Sequence, residues 1–166
     1  MSGRSHWDGT STMPWVLDDG GRSAAGFRGA AGDCVARSVA IASRLPYSEI
    51  YARLAAGNGA QRGRRGKRSA SARNGVQTSR KWFRDYMASL GFEWTPTMLI
   101  GQGCKVHLLA GELPTGRLVV ALSKHLTAVV DGVIRDTFDP SRTSVVNDER
   151  GYRLSHRCVY GYWKAA

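Results

Sequence analysis

The chain has 166 residues, of which 42% are hydrophobic and 22% charged, a composition typical of one folded domain that excludes a wholly disordered protein. Its 24 lysines and arginines outnumber the 13 acidic residues and give a net charge of +11, which favours polyanionic or acidic partners. No apolar run reaches the roughly 18 residues of a membrane span, and residues 1–13 have no apolar stretch of signal-peptide length. We therefore expect no membrane association and predict a cytoplasmic protein.

The first 32 residues are rich in glycine and serine and contain few apolar side chains. They are interpreted as a flexible N-terminal arm, residues 1–32, with one possible short strand near residues 13–17. The ordered domain is expected to span residues 33–166.

Three helices are predicted in the N-terminal half. Apolar residues at 35, 39 and 42 have helical spacing, and Asp33 is a suitable N-cap, which places Cys34 in the first turn. A second helix is expected to begin at Ser48 and to stop at Gly57. The third is expected from Thr78 to Leu90, with an aromatic-rich apolar face.

Residues 57–75 have no periodic apolar pattern and are predicted to form a basic loop. Its six cations, with no acid among them, are Arg62, Arg64, Arg65, Lys67, Arg68 and Arg73. A solvated loop, a phosphate-contacting segment and a regulatory cleavage site are all compatible with this pattern. The first five cations are the candidate contacts for a nucleic acid partner.

Beyond the third helix the apolar period becomes strand-like. The predicted strands are Phe92–Trp94, Leu118–Leu122, His125–Val130, Val133–Phe138 and Cys158–Trp163. Asp131-Gly132 between two β-branched runs predicts a two-residue hairpin turn, which pairs Val130 with Val133. The predicted fold class is α+β, with N-terminal helices packed on a C-terminal antiparallel sheet.

Cys34, His125 and a nearby acid are the candidate catalytic residues. A thiol at a helix N-terminus has its thiolate stabilised by the helix dipole, and a nearby imidazole would complete its activation. The predicted hairpin register places Asp136 diagonally across from His125, on the same face of the sheet. Asp139 reaches the imidazole only if the strand ends or bulges there, which Pro140 favours.

Gly32-Asp33-Cys34 at the start of an apolar helix, followed by the strand beginning at His125 and then by Asp139-Pro140, resembles the papain-like cysteine peptidase superfamily. Within it, the chain is most similar to small bacterial double-glycine leader peptidases, over roughly residues 28–163. The resemblance implies a papain-like fold and a peptide or protein substrate. It also implies a Cys34 nucleophile, a His125 base, an orienting Asp139 and an oxyanion hole that includes the Cys34 backbone N–H.

The chain departs from that family at the position about six residues before the cysteine. The family usually has a glutamine there, which completes the oxyanion hole. This chain has Arg28, and its first glutamine is Gln61. Either another donor serves, Arg28 itself being one candidate, or turnover is weak or absent.

The sequence is compatible with two alternatives. The first is a catalytically inactive papain-like fold that serves as a basic nucleic-acid or protein binding module, with Cys34 as a buried apolar side chain. The second concerns two pairs of residues, Cys104 with His107 and His156 with Cys158, which have the residue types of a zinc site. That signal is weak because each pair is isolated. We expect free thiols, since three cysteines are few and odd in number, and no metal or cofactor.

Overall fold

The structure is a computed structural model that describes residues 12–63, 66–67, 70–141, 144–148 and 151–166. The chain folds as α+β, as predicted, with its three helices N-terminal to most of the strands. In the part described, the helices are α1 (Cys34–Ser43), α2 (Tyr47–Ala60) and α3 (Lys81–Ser89). The strands are β1 (Trp15–Leu17), β2 (Arg62–Gly63), β3 (Gly66–Lys67), β4 (Phe92–Pro96), β5 (Arg117–Leu122), β6 (His125–Val130), β7 (Val133–Asp136), β8 (Ser144–Asp148), β9 (Gly151–Ser155) and β10 (Gly161–Ala165).

Six strands form one sheet in the order β1, β7, β6, β5, β10, β4. β1 pairs with β7 in parallel, and the other neighbours are antiparallel, so the sheet is mixed rather than antiparallel throughout. β2 with β3 and β8 with β9 form two separate hairpins. The sequence did not predict the β8–β9 hairpin, and it placed the start of β10 at Cys158, three residues too early.

The β6–β7 hairpin confirms the predicted register. Val130 pairs with Val133, and Val129 pairs with Ile134. Asp131 and Gly132 have φ angles of 48° and 79°, as a turn with two left-handed central residues requires. This turn fixes which side chains of β7 lie near His125.

The prediction that α2 ends at Gly57 is wrong, because the helix continues to Ala60. A Cβ atom on Gly57 would lie 2.2 Å from the Trp82 ring, and one on Gly59 would lie 2.9 Å from Ala70. These glycines allow close packing inside the helix rather than terminating it. The predicted basic loop, residues 57–75, therefore begins as helix, and Arg62 and Lys67 pair in the β2–β3 hairpin.

The proposed boundary at residue 33 is also wrong for the part of the N-terminal segment that the structure describes. Met13 is only 3% exposed, and β1 forms an edge of the main sheet. The possible short strand near residues 13–17 is therefore present, but the sequence did not predict that it pairs with the main sheet. Residues 1–11 of the predicted arm lie outside the described part of the chain.

Two buried clusters form the core. One joins the three helices to the sheet through Phe92, Val119, Leu126 and Trp163. The other contains sheet residues such as Val120 and Ile134, together with Met13, Leu108 and Val159 from flanking segments. Helices thus cover one cluster, whereas extended segments contribute to the other. No helix in the described part of the chain is long and apolar enough to cross a membrane.

The expectation of free thiols is wrong for Cys104 and Cys158, which form a disulfide with a Cα–Cα distance of 5.9 Å. The segments meet because His107 and Cys158 form an antiparallel bridge, and because Val159 N–H donates to the Val106 carbonyl. Only Cys34 remains a free cysteine. Because disulfides are rare in cytosolic proteins, this one weighs against the predicted cytoplasmic location.

Candidate active site

Cys34 is the first residue of α1, as predicted, and is half-buried. Asp33 occupies the N-cap position, but its side chain makes no capping hydrogen bond. Its carboxylate instead forms ion pairs with Arg37 at 2.6 Å and Arg22 at 3.0 Å and accepts a hydrogen bond from the Tyr47 hydroxyl. This buried network fixes the chain immediately before Cys34, at the end of α1 where the helix dipole favours a thiolate.

His125, the first residue of β6, is joined to Asp136, the last residue of β7. The Nε2 atom of His125 lies 2.7 Å from Oδ2 of Asp136, and the two side chains are 9% and 4% exposed. Because Asp136 takes Nε2, the other ring nitrogen, Nδ1, is left for Cys34. A carboxylate in this position fixes the orientation and tautomer of an imidazole.

The structure brings Asp136, and not Asp139, against the imidazole, which corrects the choice made from the family resemblance. β7 ends at Asp136 rather than at the predicted Phe138, so the strand does stop before Asp139, but this does not bring Asp139 to the imidazole. The chain then passes the imidazole through Phe138, whose ring centroid lies 5.0 Å from that of His125. Asp139 lies beyond, where its carboxylate accepts the Ser141 backbone N–H at 2.9 Å. The diagonal position predicted from the hairpin register therefore identifies the partner of His125.

The N-terminal segment helps to fix Asp136, a role that the sequence did not reveal. The backbone carbonyl of Asp136 accepts the Trp15 indole N–H at 3.2 Å and the Asp18 backbone N–H at 2.9 Å. Its Oδ1 atom accepts the Thr137 backbone N–H at 2.7 Å and lies 3.9 Å from the Arg37 guanidinium. The apolar run from Met13 to Leu17 indicated a possible strand in the sequence. Its position beside Asp136 depends on the pairing of β1 with β7.

The electrostatics favour a thiolate–imidazolium pair. Burial would raise the pKa of Cys34, but His125, the Leu126 backbone and the charge of Arg37 stabilise the thiolate, so the pKa is lowered. Burial would lower the pKa of His125, but Asp136 and Cys34 raise it to about 9. Burial would raise the pKa of Asp136, but its hydrogen bond with His125 lowers it. All three shifts favour the charged forms near neutral pH.

Cys34 and His125 line the same open cavity of about 420 Å³. Asn74 also lines it, from the segment between α2 and α3. Arg28, the candidate for the missing glutamine, is exposed and does not line this cavity. The position six residues before Cys34 therefore supplies no donor to the site.

The segment that holds Asn74 is anchored on two sides. The Asn58 side-chain amide donates to the carbonyls of Ser71 and Gly75, at 2.8 and 3.0 Å. Arg73 donates to the Ala30 carbonyl at 2.8 Å. Asn74 itself makes no side-chain hydrogen bond to any residue that the structure describes, so its amide is available to a ligand.

The remaining sequence-predicted residues do not join this site. Cys104 and Cys158 are oxidised to a disulfide and are not thiolate ligands, although His107 and His156 lie near each other with ring centroids 6.4 Å apart. Within the described ranges, no group of three or more histidine, cysteine or acidic side chains could hold a metal ion. Arg64, Arg65 and Arg68 lie outside the described residues, so nucleic acid binding stays a prediction.

Comparison of the chain with protein-family models, with curated proteins and with solved structures finds no match. The papain-like resemblance therefore stays a prediction from the residues Gly32-Asp33-Cys34, His125 and Asp139-Pro140.

Proposed function

We propose that the protein is a cysteine-dependent hydrolase or acyltransferase with a papain-like site, acting on an amide or thioester bond. The observation that supports this most strongly is the 2.7 Å contact between Asp136 and His125, because His125 lines the same cavity as Cys34 at the N-terminus of α1. α1 is distant in sequence from the β6–β7 hairpin, and His125 perturbs the pKa values of both Cys34 and Asp136. Such clusters are typical of nucleophilic sites.

In the proposed reaction, the Cys34 thiolate attacks the substrate carbonyl carbon and forms a carbon–sulfur bond. His125, already protonated, donates its proton to the leaving nitrogen or sulfur as the scissile bond breaks. Neutral His125 then takes a proton from water or from a second nucleophile, which attacks the acyl-enzyme and releases Cys34. Asp136 holds the imidazole orientation through both steps. The sequence suggested that His125 acts as a base that deprotonates the neutral Cys34 thiol. The raised pKa of His125 instead favours an ion pair between the Cys34 thiolate and the His125 imidazolium before substrate binds.

The negatively charged oxygen that forms when Cys34 attacks the carbonyl needs hydrogen-bond donors, and residue 28 does not supply one. The backbone N–H of Cys34 belongs to the first turn of α1, where N–H groups have no intrahelical acceptor. We assign the second donor to the Asn74 side-chain amide, because it lines the cavity and has no other partner in the described structure. A cavity-lining amide would replace the family's glutamine from a different part of the chain.

Alkylation by iodoacetamide without reductant tests the proposal, because Cys34 is the free cysteine. An ordinary thiol is a thiolate to well under 1% at about pH 6, so its alkylation rate rises about tenfold per pH unit from 6 to 8. We expect the wild-type rate to exceed the His125→Ala rate at about pH 6 and to rise less steeply towards pH 8, because His125 lowers the pKa of Cys34 against the effect of burial. Cys34→Ser is the labelling control. A steep wild-type profile that matches His125→Ala would contradict the proposal.

A further inference from the structure

A second cavity, of about 450 Å³, adjoins the one that contains Cys34. The two share Thr78, Ala121 and Leu126 in their walls. The second cavity continues from these residues to Trp94 and Trp163. Together the cavities form one groove, which begins at the candidate nucleophile and ends beside α3.

The far part of the groove has an aromatic wall. Trp163 is buried, whereas Trp94 is 38% exposed, and their ring centroids are 5.1 Å apart. A Cβ atom on Gly161 would lie 2.4 Å from the Trp94 ring, so only glycine at this position lets the indole lie against β10. This wall is built to contact a large apolar or aromatic group.

Apart from Cys34 and His125, the charged side chains among the described lining residues are cationic. Lys124 lines it next to His125, and Arg84 of α3 lines its far end. Neither makes an ion pair with an acid in the described part of the chain, whereas Lys81 on the same helix is paired with Asp85 at 2.7 Å. No aspartate or glutamate is among the described lining residues. An unpaired guanidinium beside an aromatic wall is suited to bind a carboxylate.

We propose that the groove binds an acidic peptide segment, with an aromatic side chain on Trp94 and Trp163 and a neighbouring carboxylate on Arg84. This inference rests on the proposed function, because it treats the bound segment as the acyl donor presented to Cys34. It also deepens that function, since it assigns the substrate to peptides that combine an aromatic and an acidic residue. The net charge of +11 adds general attraction for acidic chains, and the groove adds side-chain selectivity.

Equilibrium binding to Cys34→Ala separates recognition from turnover. The reference probe is the end-blocked tetrapeptide Gly-Phe-Glu-Gly. In three analogues, glutamine replaces the glutamate, lysine replaces the glutamate, or alanine replaces the phenylalanine. Calorimetry measures the affinity of each peptide. We expect the glutamyl peptide to bind about tenfold more tightly than the glutaminyl peptide, which corresponds to about 1.4 kcal/mol. Replacement of phenylalanine by alanine should weaken binding by a similar factor.

Arg84→Glu, introduced on the Cys34→Ala background, should abolish the preference for glutamate and improve binding of the lysyl peptide. Lys105→Glu is the matched control, because Lys105 lies outside the groove, is hydrogen-bonded to Gln102 and gives the same change in net charge. It should leave the glutamyl-to-glutaminyl ratio unchanged.

Three outcomes would overturn the inference: no binding of the phenylalanyl-glutamyl peptide at millimolar concentration, equal binding of the glutamyl and glutaminyl peptides, or the same loss of preference in Arg84→Glu and Lys105→Glu. Failure of the proposed function gives a different signature. In that case the binding preference persists in Cys34→Ala, while the wild-type thiol shows the alkylation profile of an ordinary cysteine.

Discussion

The three cysteines of this chain lie in two regions, one of which stabilises a thiolate and the other a disulfide. Cys34 begins a helix and lies next to His125 and Arg37, which lower its pKa. Cys104 and Cys158 lie in paired extended segments, 54 residues apart in sequence, and are joined to each other. The first environment stabilises an isolated thiolate, and the second holds two sulfurs at bonding distance. Whether a cysteine of this chain is a thiolate or part of a disulfide therefore depends on nearby charges and on backbone pairing.

The largest expected effect is loss of the nucleophile or its imidazole. Cys34→Ala and His125→Ala should each reduce kcat/KM by at least about 10⁴-fold, and the double variant should be no worse than either, because the two side chains act as a unit. Steady-state hydrolysis of a thioester or peptide substrate measures this, with circular dichroism to confirm folding. Additive losses in the double variant would show that the two residues act separately.

The two candidate acids can be ranked by parallel substitutions. Asp136→Asn should reduce kcat by about 10²- to 10⁴-fold, because the imidazole loses its charged partner. Asp139→Asn should retain near wild-type kcat, since Asp139 accepts only the local Ser141 N–H among the described contacts. A larger loss in Asp139→Asn would restore the family-based assignment and contradict the site geometry.

The pH dependence of activity in Asp136→Asn tests whether Asp136 raises the pKa of His125. The pKa of His125 is raised to about 9, so the imidazolium is present at neutral pH and is lost as the pH rises through about 9. Without the Asp136 carboxylate this pKa falls, and the alkaline limb of the activity profile should move to lower pH. An unchanged alkaline limb would mean that another group holds the proton on His125.

The Cys104–Cys158 disulfide should increase the stability of the fold and should not affect the reactivity of Cys34. Replacing both Cys104 and Cys158 by serine should lower the free energy of unfolding by about 2 to 4 kcal/mol, because a loop of this length is no longer closed in the unfolded chain. Urea denaturation measures the loss. The alkylation profile of Cys34 should be unaltered. Labelling of three thiols in unreduced, denatured wild-type protein would show that the disulfide is absent.

The smallest expected effect concerns the second oxyanion donor. Asn74→Ala should lower kcat on the order of 10²-fold with little change in KM. The Cys34 alkylation profile should stay as in the wild type, because Asn74 stabilises only the transition state. A parallel change in alkylation would instead mean that Asn74 maintains the structure around Cys34. Ser71→Ala is a matched control on the same segment, since Ser71 contacts Tyr51 and Arg73 but does not line the cavity.

Several features were predictable because their signals are local. The spacing of Val35 and Val39 and the position of Asp33 were enough to begin α1 at Cys34. Asp131-Gly132 specified the turn, and the period of two along each strand then placed Asp136 diagonally opposite His125. Local backbone preference and strand periodicity thus made Asp136 one of two candidate partners for His125, whereas the family resemblance favoured Asp139.

Other features depended on contacts between distant segments. Gly57 resembles a helix stop, but packing against Trp82 makes it an interior residue of α2. The pairing of β1 with β7, which fixes the Asp136 backbone, and the approach of residue 106 to residue 159, which allows the disulfide, both join segments far apart in sequence. The sequence by itself determined the secondary structure around Cys34 and His125. Only the tertiary structure decided which acid completes the site, which cysteine stays free and where Asn74 lies, because each depends on burial and charge contributed by remote parts of the chain.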